Sequence, residues 1–345
     1  MENLNSQHWP KVSVNILGFN ARPELNSALS SILKQDYPNF EVLYIDNAST
    51  DGSEEYVRQN FPTVKVLQTG FNFHYGPAHN KGVAATNGEL VCFLNTDLEL
   101  APNYLTEAVK ALLKDDKIAG VQGKTLRPRV DNQPVIIDGT GLTINRARLV
   151  RDRGQNEEDK GQYDTPEEVF AICGSNPVYR RSALLDVAID GEIIDEDIRA
   201  FFDDTDLGWR LRHLGWKLWY QPTAISYHRR GFGQSPTGYK KLFQFIKFRK
   251  KISILTKQLS WKNKFYIVIK NDFGKPFWRD LPVFLWREFL HLGFVVLFEI
   301  RTLTVLPLMF KQIPRILHKR KIIRSRSVLG TEGVDRFIEK NLKPE

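Results

Sequence analysis

The sequence predicts an α/β fold, a mostly parallel sheet with flanking helices, followed by a basic amphipathic helical region. Three observations carry that expectation. Short β-branched runs alternate with segments of helical period through the first 125 residues, polar residues cluster just after the strands, and charge is divided unevenly along the chain.

Residues 12–17, 42–45, 64–67 and 90–94 read as strands, and 24–35, 53–60, 77–86 and 102–114 as helices. This βαβ rhythm places ligands at the carboxyl edge of the sheet, where 46–52 and 95–97 supply the polar residues. The pattern loosens over 127–161 and returns at 169–179. A helix is expected over 204–214, with Asp203 as its cap and Gly215 as its stop.

The formal charge is +9 over 345 residues, but residues 239–326 hold 21 Lys and Arg against four acids, or +17. The remainder carries 28 basic and 36 acidic residues, or −8, so the basic character belongs to one region. We place the boundary near residue 239, giving parts 1–238 and 239–345. Cys92 and Cys173 lack CxxC spacing and read as reduced thiols, which argues against a disulfide framework or a zinc site. The polar N-terminus has no signal-like apolar core, so the first part is expected in the cytosol.

Four segments carry chemistry. YIDNASTDGSEEYV (44–57) ends a strand on Asp46, whose carboxylate can accept from a pyrimidine N–H or a ribose hydroxyl; an Asx-turn with a helix cap would account for the same residues. LNTDLE (94–99) puts Asp97 at another strand end, where Mg²⁺ or Mn²⁺ takes one or two carboxylates and completes its shell with diphosphate oxygens and water. FFDDTDLGWRLR (201–212) gathers Asp203, Asp204 and Asp206 in one helical turn, where neighbouring carboxylates raise one another's pKa as a general base needs; the helix dipole alone would also favour acids there. SYHRRGFGQS (226–235) offers His228 as a metal ligand and arginines for phosphates, although a lone loop histidine is more often solvated.

The order of DNASTDGS, GFNFHYGPAHNKG, LNTD, CGSN–RRSAL, FFDDTDLGWRLRHLGW and YHRRG resembles family 2 glycosyltransferases of the GT-A fold, particularly rhamnosyltransferase-like members, over roughly residues 11–235. The resemblance implies an inverting, metal-dependent transfer from a nucleoside-diphosphate sugar. Asp46 would meet the nucleotide base, with Asn47, Asp51, Asn80 and Asn95 completing the nucleotide-sugar site. Asp97 and His228 would hold Mg²⁺ or Mn²⁺, and Asp204 or its neighbour Asp203 would be the base. Two residues depart from the family pattern: Asn95 replaces the first acid of D-x-D, and Asp203 replaces a Glu. Asn95 keeps open the alternative of a non-catalytic nucleotide-sugar or glycan-binding protein.

The basic region mixes aromatics with Lys and Arg, as interfacial helices do, and its longest apolar run, 292–298, is seven residues against the roughly 20 that span a bilayer. The expectation is a peripheral region on an anionic membrane surface, at the inner face, serving a lipid-linked saccharide acceptor in cell-surface polysaccharide synthesis. A helical unit packed on the first part is the competing reading. Nothing in the first part supports nucleic acid as a partner, and a redox Rossmann enzyme lacks its GxGxxG turn.

Overall fold

The computed structural model describes residues 9–230, 242–330 and 334–339. The expected boundary near 239 and the glycine-containing stretch 231–235 lie outside them, as does most of the polar N-terminal stretch.

The chain begins β1 (Val12–Gly18), α1 (Leu25–Leu33), β2 (Phe40–Asp46), α2 (Ser53–Asn60), β3 (Lys65–Gln68), α3 (Tyr75–Ala84), β4 (Leu90–Asn95), β5 (Leu98–Leu100) and α4 (Tyr104–Leu113). Four of these strands are parallel in the order β3-β2-β1-β4. The three inner strands β1, β2 and β4 are largely buried, as expected from their unbroken apolar runs, whereas the edge strand β3 is half-exposed. α1 shows how the sequence does this: Leu25, Ala28, Leu29 and Ile32 recur at helical spacing and form one buried stripe. Register aligns Gly18 with Asp46 and Leu17 with Asn95, so the strand-end polar groups emerge at one level of the sheet.

The sheet continues through β6 (Ile118–Leu126), β7 (Ile137–Gly139), β10 (Glu167–Glu168), β11 (Val178–Arg180) and β12 (Lys217–His228), while β8 (Leu142–Asn145) and β9 (Val150–Asp152) pair in a small separate sheet with β13 (Ile338–Glu339). β11 lies antiparallel between β4 and β6, which reverses the strand direction in mid-sheet. Helix α5 (Arg181–Asp186) follows β11, and α6 (Asp203–His213) precedes β12. α6 begins one residue earlier than expected: Asp203 is its first residue, and the cap position falls to Phe202, which makes no side-chain cap. Its end is as expected. Gly215 takes φ +81°, which places the Trp216 N–H on the Leu211 carbonyl at 3.1 Å and the Gly215 N–H on Arg212 at 3.0 Å, a Schellman closure.

The basic region forms α7 (Leu242–Lys251), α8 (Ile254–Asn271), α9 (Lys275–Phe298) and α10 (Leu306–Arg326). Ser253 caps α8 by accepting from the Thr256 N–H at 3.1 Å. These helices pack on the first part. Ile198 sits in one apolar cluster with Tyr266, Ile267, Phe284 and Ile316, and buried Arg148, between β8 and β9, reaches Asp272 at 2.6 Å and Asp280 at 2.9 Å. Part of the region's charge, of both signs, is therefore internal. Lys262, Lys264, Lys270 and Lys319 are all buried, and Lys270 and Lys319 pair with acids of the first part. α9 is also longer than the seven-residue run suggested: Arg287 and Glu288 interrupt the run but not the helix, and by length and composition it could cross a membrane.

Candidate active site

The turn after β2 is held by its own acid. Asp46 is fully buried and accepts from the Ser49 N–H at 3.0 Å, Gln68 Nε2 at 2.6 Å and the Tyr44 hydroxyl at 3.0 Å. Asn47 stitches the turn to 69–74, donating to Asn72 and the His74 carbonyl while accepting from the Phe73 N–H. Asp51 accepts from the N–H groups of Ser53 and Arg22, joining the start of α2 to the loop after β1. Asn80 stands apart from the other candidates. Its amide exchanges two hydrogen bonds with the backbone of Ile194, at 2.8 and 2.9 Å, and so fixes a loop on the far side of α3.

Asp97 and His228 do meet. β12 runs antiparallel to β5 with His228 opposite Leu98, which brings His228 Nε2 within 3.1 Å of Asp97. The other ring nitrogen lies 2.8 Å from Asp138, a buried acid at the middle of β7 that motif reasoning did not single out. Burial alone would lower the imidazole, but the hydrogen bonds to Asp138 and Asp97 prevail and raise it to about 9. Arg230 closes the cluster, 2.6 Å from Asp138 and 2.8 Å from Asp152.

This donor set fits a divalent ion. A carboxylate oxygen and an imidazole nitrogen converge, and the imidazole is oriented from behind by a carboxylate, as metal-binding histidines usually are. The described residues hold no group of three or more such side chains, so diphosphate oxygens and water would supply the rest of the shell. Asn95, beside them, donates its backbone N–H to the Ser175 carbonyl at 3.1 Å and so ties β4 to the CGSN loop.

The three acids of α6 have three different environments. Asp206 is fully buried and locked by Arg210 at 2.8 Å, Lys270 at 2.7 Å and Asn271 at 2.8 Å; burial would raise it, but Lys270 and Arg210 hold it below the usual carboxylate range. Asp203 is 8% exposed and forms no ion pair among the described residues; burial, then the Asp204 charge, pushes it well up. Asp204 is more exposed and accepts from the Gly174 N–H at 3.2 Å and the Thr205 N–H at 2.6 Å. Burial, with Asp152 nearby, raises it as well. The CGSN loop thus links Asn95 at the sheet edge to Asp204 at the helix start.

The backbone ahead of these acids is strained. Arg199, Phe201 and Phe202 all take the left-handed region, at φ 65°, 67° and 66°. Asn263 of α8 holds that path: fully buried, it donates to the carbonyls of Ile198, Ala200 and Phe201 at 2.9, 2.7 and 3.0 Å. Lys262 adds a bond to the Asp197 carbonyl at 2.7 Å. Sequence reading missed both, because they lie about 60 residues from the loop they position.

Comparison with known proteins bears on the fold and the family. The family described as Glycosyl transferase family 2 matches residues 13–187. A poly-beta-1,6-N-acetyl-D-glucosamine synthase of Staphylococcus epidermidis is 27% identical over 230 residues, 64% of this chain and 51% of that protein. The chain thus spans about half the length of that relative. An N-acetylglucosaminyl-diphospho-decaprenol L-rhamnosyltransferase of Mycobacterium tuberculosis is 27% identical over 241 residues, covering 63% of this chain and 76% of the relative. Among solved structures, GalNAc-T7 with UDP, GalNAc and Mn²⁺ aligns at TM-score 0.57 and 18% identity over 76% of this chain and 49% of that one. A mannosyltransferase from Pyrobaculum calidifontis with GDP-Man and Mn²⁺ aligns at 0.54 and 17% over 93% and 86%. These likenesses show the GT-A fold, and with the family match extending over just over half of its 345 residues, the chain belongs to glycosyl transferase family 2.

Proposed function

We propose that this chain is an inverting, metal-dependent glycosyltransferase moving a sugar from a nucleoside-diphosphate donor to a hydroxyl of a lipid-linked saccharide, in bacterial cell-surface polysaccharide synthesis. It would act at the cytoplasmic face of the membrane, with residues 1–238 carrying the transfer and 239–345 the membrane contact. The observation that carries the reading is the Asp203–Asp204 pair, two carboxyls that form no ion pair among the described residues, with Asp204 close to Asp152, which Arg230 joins to Asp138 behind His228 and Asp97. The name of the M. tuberculosis relative supports a lipid-linked acceptor, and the titles of both solved neighbours support Mn²⁺.

Of the pair, Asp203 is the more buried and keeps its proton, so Asp204 ionises first and takes the proton from the attacking hydroxyl. The Gly174 and Thr205 N–H groups keep its carboxylate in place. A base moiety would lie against the 46–51 turn, exchanging with the exposed Gln68 side chain for Asp46. Asp97 and His228 Nε2 would hold Mg²⁺ or Mn²⁺, which supplies charge stabilisation to the departing diphosphate. Asp138 keeps the imidazole aimed.

Asp97→Ala is therefore expected to abolish the gain in nucleotide-sugar affinity that Mn²⁺ confers, with the metal-free melting temperature nearly unchanged. Titration calorimetry with and without Mn²⁺ checks it. An unchanged Mn²⁺ effect would remove Asp97 from the metal site.

A further inference from the structure

α9 is inside out. Its buried positions include both of its acids, Asp280 and Glu288, while Trp278, Trp286, Phe289 and Leu297 stand 64–75% exposed. Asp280 is held by Arg146 at 2.8 Å and Arg148 at 2.9 Å, and Glu288 by Lys264. α10 repeats the inversion: Lys319 is 2% exposed, between Glu192 and Asp195, whereas Phe310 is 66% exposed. A helix on the surface of a water-soluble globule turns its charges outward and its aromatics inward.

The exposed charges have one sign. All four acids of residues 242–330, Asp272, Asp280, Glu288 and Glu299, are buried. Lys311, Lys321 and Arg324 are exposed and form no ion pair among the described residues, and Lys321 and Arg324 line an open depression of about 490 Å³ with Arg320 and Leu317. An apolar face this large marks an interaction surface. A second copy would bring basic groups against basic groups, which opposes self-association. An anionic bilayer complements both features, the apolar stripe by its acyl chains and the basic groups by its phosphates.

We propose that the exposed face of α9 and α10 is a docking surface for an anionic leaflet, with the helices lying in its plane and Trp286, Phe289, Leu297 and Phe310 entering the acyl boundary. The face that carries Asp280 and Glu288 stays on the globule, which keeps α9 along the surface rather than across the bilayer. Insertion of the apolar stripe supplies the salt-resistant part of the attachment, and the exposed cations add to it. The proposal deepens the membrane side of the function proposed above and rests on it. Its test needs no turnover, so a failure here would leave the transfer chemistry standing.

The full chain is to be floated with vesicles of phosphatidylcholine, alone or with phosphatidylglycerol, at low and high salt. Flotation with the anionic vesicles should persist at high salt, and acyl-chain bromine should quench the tryptophan fluorescence. The double variant Trp286→Ser, Phe289→Ser, at exposed positions outside the site, should keep its melting temperature and partition at least ~10-fold more weakly. A folded chain that floats with neither vesicle would overturn the proposal, as would complete release by salt, which leaves charge alone. A double variant that turns a dimer into a monomer without changing flotation would assign the face to a second copy instead.

Discussion

Replacing Asp204 with Asn should leave nucleotide-sugar affinity in Mn²⁺ nearly unchanged and lower transfer by about 10²- to 10⁴-fold, the usual contribution of a general base. The amide keeps the shape of the side chain and its one oxygen can accept from either the Gly174 or the Thr205 N–H, but it cannot take a proton. Because Asp204 and Asp203 both titrate above the usual carboxylate range, the wild-type rate should climb with pH on a limb displaced upward, and that limb should vanish in the variant. The stability effect has the opposite sign. A carboxyl whose folded pKa is raised disfavours the fold once pH exceeds its unfolded value, so the amide should raise the melting temperature at neutral pH. If Asp203→Asn alone produced the rate loss, the base would be Asp203.

Replacing Lys270 with Met should destabilise the whole chain by about 3 kcal/mol, measured by urea unfolding, since removing one member of a buried ion pair typically costs 3–5 kcal/mol. Lys270 is fully buried and joins Asp195 to Asp206, one from the loop before α6 and one from α6 itself. The lower end of the range applies because both acids keep another cation, Lys319 for Asp195 and Arg210 for Asp206. The ammonium belongs to α8, so the result also reports whether the basic helices and the first part unfold as one unit. An unfolding curve that matches wild type would mean that α8 is not docked in solution.

How far the sequence revealed the site depended on the distance between partners. The strands ending at Asp46 and Asn95 were legible because apolar runs followed by acids and turn residues are local signals, and the parallel pairing places those ends together. The roles of Asp203, Asp204 and Asp206 were not separable. What distinguishes them is Lys270 and Asn271, more than 60 residues away and on a helix that the sequence favours placing on lipid. Asp138 escaped notice for the same reason, since only the crossing of β7 near β12 makes it the support of His228. The charge division of +17 against −8 was legible as a number but not as a structure. Part of it is an internal contact, with Lys270 of α8 and Lys319 of α10 answering the acids at 192–206. What remains outside is more apolar than the count suggested, and its charge is wholly basic, because Asp280 and Glu288 face inward on α9.

The claim that this site transfers sugar is tested most directly by following the purified chain with Mn²⁺, a panel of UDP-, dTDP- and GDP-sugars and a lipid-linked saccharide extract by proton NMR. The account predicts that one donor is consumed, that EDTA stops its consumption, and that the product forms with the anomeric configuration opposite to the donor's. Tight binding of a nucleotide sugar with no metal-dependent turnover of any donor would instead show a binding protein on the same fold, and retained configuration would contradict direct displacement assisted by Asp204.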